Sequence, residues 1–239
     1  MKCGYKQLAA ALLMSAGIVG CQVAPSPVSH LDETGIRGAV HGFAQAVRTG
    51  DAEKVKAVSV VPGQNRVLGE KVIDDTVTNR KMQVKLTEAF GYVEPKAAVV
   101  GSEAYLARLD ATANSGPIAR EGDRACVGQP GLDGSVYLRH VQGDWKVEVI
   151  PTLVMEAGGQ PTVNDEVVDY RFGVSQTLNH WMLTRLENQE FKNKREYDLA
   201  RNSFWMHYLT YTAAGKDPHQ TMMSALPVMP HPQELARDW

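Results

Sequence analysis

The chain has 239 residues, 44% of them hydrophobic and 22% charged, with a formal net charge of −2. That length accommodates one large domain, or a domain with an extension, able to bury roughly 70% of its unfolded surface without metal or disulfide staples. The mild, mixed charge excludes the basic stripe that a nucleic-acid binder needs. The longest basic cluster, Lys192 to Arg195, is followed by Glu196 and Asp198 and reads as a solvated helix end.

The first twenty residues carry an address. Lys2 and Lys6 precede an apolar stretch from Leu8 to Gly20 that is 13 residues long, with Ser15 its one polar residue. Spanning a bilayer as a helix takes about 20 residues, so this run reads as a secretory signal and not as a transmembrane helix. Ile18-Val19-Gly20-Cys21 ends it. These four residues resemble the lipobox of a bacterial lipoprotein, in which the cysteine becomes the lipidated first residue. The resemblance implies cleavage after residue 20, acylation of Cys21 and a partner in the lipid bilayer. Two or more acyl chains hold firmly where one holds marginally, at about 0.8 kcal/mol per buried CH₂. Gln22 follows the cysteine, and by the same resemblance favours the outer membrane in a cell that has one. Loss of Lys2 and Lys6 takes the formal charge from −2 to −4. Of the three cysteines, Cys3 leaves with the signal and Cys21 is acylated. Cys126 is then alone, no intrachain disulfide is possible, and it reads as a small buried core residue.

Residues 21–29 contain Pro25 and Pro27 and read as an extended tether. From Leu31 to Thr49 the pattern is helical: Ile36, Val40, Phe43, Ala44 and Val47 share one face. Gly50 stops this helix, Asp51 caps a short second one, and Pro62-Gly63 ends that. Val67 to Phe90 is a long helix closed by Gly91, and Glu103 to Asp110 a shorter one. The period then changes to two. Glu121-Gly122-Asp123 turns a hairpin within Ile118 to Val127. Ser135 to Val141 pairs through Gly143-Asp144 with a strand carrying Trp145, Val147 and Val149 on one side. Helical signal resumes from Asp165 to about Glu190 and again from Glu196 to about Ala214. The tail, 227–239, holds Pro227, Pro230 and Pro232 and reads as irregular.

Helices first and an antiparallel sheet after them predict an α+β fold. Three stretches add a resemblance. Phe43 to Asp51 looks like the first-helix ending of NTF2-like (SnoaL-like) domains, Glu121 to Ala125 like their central hairpin, and Val136 to Arg139 with Gly143 to Val147 like their last hairpin. The match covers roughly residues 31–152. It implies a cone, with helices packed into the concave face of a curved sheet and a pocket at the open end. The organisation that follows is a signal at 1–20, a tether at 21–29, an NTF2-like domain at 30–155, a helical extension at 160–226 and an irregular tail. The two helices of the extension lie beyond the usual end of the domain. They must bury their apolar sides on the cone or on a partner.

Candidate chemistry is sparse. Enzymes of the resembled fold include isomerases and dehydratases, and the ketosteroid isomerase pattern sets acids and a tyrosine in an apolar pocket. Here the first helix has no Tyr and no acid on its apolar face; Arg37, His41 and Arg48 form a polar stripe expected to face solvent. Asp74-Asp75 reads as a solvated pair, although Asp74 lies beside Ile73, which leaves an inward-facing member of the pair as the alternative. If the Val136/Leu138 face is concave, His140 and Tyr105 line the pocket, with Asp110 a further candidate that otherwise ends its helix. No HxxxH, HExxH, CxxC, GxSxG, P-loop or GxGxxG occurs, so no metal site and no cofactor is implied. The last helix is rich in aromatics. Trp205, Tyr208 and Tyr211 form either a packing face against Phe172, Trp181 and Leu186 or a docking surface for a protein or envelope glycan. The expected function is a membrane-anchored, non-catalytic binding or assembly module. A small-molecule pocket protein or enzyme of the same fold is the alternative, and a structural homodimer a third class.

Overall fold

A computed structural model describes residues 30–61, 66–130, 134–154 and 165–213, excepting the side chains of 31, 154, 165–172 and 207–213. The signal, Cys21, the tether, Pro62-Gly63 and the tail lie outside these described residues.

The N-terminal apolar stripe forms α1, His30–Thr49, with Ile36, Val40, Phe43 and Val47 fully buried. Gly50 ends it at a φ of 64°, a left-handed conformation that costs glycine nothing. The Asp51 carboxylate then accepts from the Glu53 and Lys54 amides and starts α2, Ala52–Ala57. A two-residue strand that the sequence does not announce, β1 (Ser59–Val60), follows. The long helix α3 runs Arg66–Phe90 and α4 runs Glu103–Ser115, capped by Ser102. Thus α4 continues five residues past Asp110, which sits inside the helix and does not end it.

Four strands then meander: β2 (Ile118–Glu121), β3 (Arg124–Val127), β4 (Val136–Val141) and β5 (Asp144–Glu148). They form one sheet in the order β1-β5-β4-β3-β2, antiparallel except that β1 lies parallel to β5. Leu138 faces Ala125 on one side and Val147 on the other, which sets the inward row of the sheet. A π-helical turn, Ile150–Val154, leads out of the sheet. The chain ends its described course in α5 (Asp165–Glu187) and α6 (Lys194–Ala213), the latter starting two residues before the expected Glu196. The class is α+β, with a mixed sheet and helices segregated in sequence around the meander.

Two apolar clusters hold this together. In the first, α1 lies between the sheet and α4: Phe43, Tyr105, Leu106, Val136, Leu138 and Val147 are all fully buried. Each side chain of this size contributes about 1.5–3 kcal/mol by leaving water. The first half of α3 joins through Leu68, Val72, Ile73 and Val77. The second cluster begins where the first stops. Met82 and Leu86 on the later turns of α3 meet Leu178, Met182 and Leu186 of α5, and Tyr197 and Phe204 of α6 close the cluster. The described apolar residues of the extension are therefore buried against α3 and not left for a partner.

Candidate functional site

Each residue singled out from the sequence has a definite place, and the places differ. Tyr105 is fully buried in the first cluster, where the Arg108 guanidinium lies 5.5 Å from its ring centre. His140 alternates onto the same face as Val136 and Leu138, as expected, but at the end of β4 it is exposed. Its ring leans on Trp145 at a centroid distance of 5.1 Å, so it caps the sheet's rim and does not line a closed pocket. Asp110 points to α1. His41 Nδ1 lies 3.1 Å from Asp110 Oδ1, and Arg48 donates to Oδ2.

That last contact corrects the expectation for α1. The Arg37, His41 and Arg48 stripe does not face open solvent; it faces α4. Arg37 donates to the Ala113 carbonyl at 2.6 Å, and His41 Nε2 lies 3.0 Å from the Asn114 amide oxygen. The three polar residues zip α1 to α4 along the seam that the apolar stripe leaves. Partial burial works against ionisation of Asp110, but hydrogen bonds from Arg48 and His41 outweigh it and hold the carboxyl below its ordinary range.

The Asp74-Asp75 pair departs from the solvated reading, and Asp75 takes the inward alternative. Both carboxylates face α5. Asp75 is only 7% exposed. It accepts from Asn179 Nδ2 at 2.8 Å, from Asn79 Nδ2 at 3.1 Å and from Ser175 Oγ at 3.5 Å. Burial pushes its carboxyl up to about 6, the Asn179 hydrogen bond opposing and the neighbouring Asp74 charge reinforcing the shift. Asp74 lies at the rim. It contacts His180 Nε2 at 2.8 Å and accepts from Gln176. Desolvation raises its pKa, but these two bonds prevail and lower it. Beside this rim lies an open groove of about 480 Å3 between the start of α2, α3 and α5, with Asp51, Lys81, Thr184 and Glu187 on its walls.

The aromatic face of α6 is partly resolved by packing. Phe204 is buried, and Trp205 sits edge-on to it at 5.7 Å, half-buried beside the second cluster. The side chains of Tyr208 and Tyr211 lie outside the described residues, as does that of Phe172. Trp181 carries the Arg185 guanidinium 4.3 Å above its ring. The basic cluster at the start of α6 is not simply solvated either: Lys194 bonds Asp198 and lies 4.1 Å over the Tyr92 ring. Cys126 is buried, as expected of a core residue, and desolvation lifts its thiol to about 11 against a hydrogen bond with Ser135.

The structure thus does not bring Tyr105, Asp110 and His140 together, while it does bring together Asp74, Asp75, Asn79, Ser175, Asn179 and His180. Sequence reasoning missed the second group. A signal was there: Asp75 and Asn79 repeat at i, i+4, as do Ser175 and Asn179, a polar stripe on each of two helices. Among the described residues no group of His, Cys, Asp and Glu is arranged to hold a metal ion, and no helix is long and apolar enough to cross a membrane. Compared with family models, curated proteins and solved structures, the chain matches none of them.

Proposed function

We propose that this protein is a lipid-anchored envelope module, with an NTF2-like cone and a helical extension, that binds or assembles and does not catalyse. The observation that carries the reading is the filled inward face of the sheet. In the proposed cone, the space where a pocket would open is occupied by Phe43, Tyr105, Leu106 and Leu138, all fully buried. A catalytic cone needs a titratable group aimed into a closed apolar cavity. The three candidates for that role are instead distributed among the core, the α1–α4 seam and the exposed rim.

The Ile18-Val19-Gly20-Cys21 motif supplies the anchor in this reading. Nine residues, 21–29, separate the acylated cysteine from α1. Extended at about 3.1 Å per residue they reach about 28 Å, enough to hold the domain against the bilayer surface with freedom to turn.

Titration of the folded protein with an apolar fluorescent probe tests the filled interior. The reading predicts no saturable one-to-one site. A stoichiometric site, or turnover of a small apolar substrate that disappears on Tyr105→Phe or His140→Ala substitution, would return the pocket-enzyme alternative to first place.

A further inference from the structure

We propose that the α3–α5 seam is a protonation-controlled latch, in which the buried Asp75 takes up a proton and α5 is then held more firmly on α3. Asp75 is on the third turn of α3, facing α5 and 93% removed from solvent, and among the described residues its hydrogen bonds come from the neutral donors Asn79, Ser175 and Asn179. A buried carboxylate served by neutral donors keeps most of its desolvation cost, and a proton relieves that cost without breaking the packing.

The surroundings add little compensating charge. Among the described residues, the charges acting on Asp75 are those of Asp74 on α3 and His180 on α5, while Glu70 and Lys71 of α3 line a groove beside Asp74. Asp74 repels, and His180 offsets it only when protonated. Lys81 on α3 and Lys56 on α2 act on Asp74 at the rim. The turn Ile150–Val154, packed on the same helix, has no ionisable side chain. Asp74 and Asp75 are therefore two adjacent carboxylates with opposite fates. One is a rim acid held ionised by His180 and Gln176; the other is an interior acid whose protonation is favoured.

The sign follows from linkage. The Asp75 carboxyl, ordinarily near 3.8, stands at about 6 in the folded chain. Its stabilising contribution is full below the ordinary value and is lost as pH rises through the folded value. Asp74 shifts the other way, and its contribution is lost only below the ordinary carboxylate range. Between pH 7 and pH 5 Asp75 is the one of the two carboxylates that responds, and its share of the closed seam's equilibrium constant rises about tenfold on acidification, a share that Asp75→Asn separates from the His180–Asp74 contact. The inference does not depend on the lipid anchor or on the absence of catalysis.

The test is hydrogen exchange of the full chain at pH 5 and pH 7, corrected for the intrinsic pH dependence of exchange. Amides of α5 are expected to become about tenfold better protected at pH 5 relative to those of β4. In Asp75→Asn that difference disappears. If the variant does not fold, a carbon-13 titration of the Asp75 carboxyl in the unmodified chain decides alone. A midpoint near 6 sustains the latch. A midpoint near 4, or equal corrected protection of α5 at both pH values, overturns it.

Discussion

Glycine 69 offers a sharp test of how closely α3 is seated. Replacing a glycine inside a helix by alanine ordinarily stabilises, by about 1 kcal/mol, because the unfolded chain loses freedom and the helix gains a good former. Gly69 lies in the first turn and a half of α3 and is buried against the chain that leaves β1. A Cβ there would stand 2.2 Å from Val61 Cγ1, 2.5 Å from its Cγ2 and 2.9 Å from its Cβ. Ordinary contact starts at 3.4 Å, so Val61 or the helix must yield by about 1.2 Å. Valine is stiff at χ1 and presents both methyls, so no rotamer removes the overlap. Overpacking of this kind costs about 1–3 kcal/mol and here outweighs the propensity gain. Gly38 on α1 supplies the control: a Cβ there meets nothing within 4 Å. Urea unfolding should therefore show Gly38→Ala more stable than the parent by about 0.5–1 kcal/mol. The same assay should show Gly69→Ala less stable by about 1–2 kcal/mol. Equal stabilisation by both substitutions would refute the close seating of α3 on Val61.

Further outcomes follow from the same packing. Leu138→Ala, at the centre of the inward row of the sheet, is expected to cost about 2–5 kcal/mol by chemical denaturation. Asp51→Ala removes the cap that accepts from Glu53 and Lys54 and should cost about 1 kcal/mol, recovered mostly by Asp51→Asn. A double-mutant cycle between Arg48 and Asp110 should give a coupling of about 0.5–1 kcal/mol, since both side chains remain partly exposed. Asp110 is held below its ordinary range, so that coupling is present above the ordinary carboxylate value and is lost as pH falls through the folded one. Cys126, buried with its thiol raised to about 11, should resist alkylation at pH 8 in the native chain and react in urea, as read by peptide mass mapping.

Much of the fold is legible in the sequence because local periodicity and turn chemistry agree with the final packing. The stripe Ile36-Val40-Phe43-Val47 marks α1, and each of these residues is fully buried. The Glu121-Gly122-Asp123 turn and the alternation of Val136 and Leu138 mark the meander, and these segments pair as expected. What escapes is whatever depends on a distant partner. The two-residue β1 has no period to detect, and exists because Ser59 and Val60 find Val147 and Glu148 in parallel register. The last turns of α4 continue beyond Asp110 because Ala113 packs in the core and its carbonyl receives Arg37 from α1.

The polar site is the clearest case. Read alone, Asp74-Asp75 on a helix is a solvated pair, because two charges in sequence ordinarily seek water. The burial of Asp75 is decided by Asn179, which lies 104 residues later and brings a fitting amide to it. In the same way the stripe Arg37, His41 and Arg48 looks like a wet face until α4 brings Asp110 and Asn114 against it. Apolar faces announce themselves by spacing. Polar seams announce themselves only as a matching stripe on a second helix, a pattern visible when Asp75/Asn79 and Ser175/Asn179 are set side by side.

The proposed anchor is the part of the functional account that places the domain, and intact mass of the membrane-extracted protein, beside a Cys21→Ser variant, tests it most directly. The account predicts a mature species beginning at Cys21 with added diacylglyceryl mass, and a variant that is neither acylated nor retained on the membrane. A soluble species from the parent chain, with Cys21 unmodified, would contradict the tether and with it the proposed placement of the domain at the envelope.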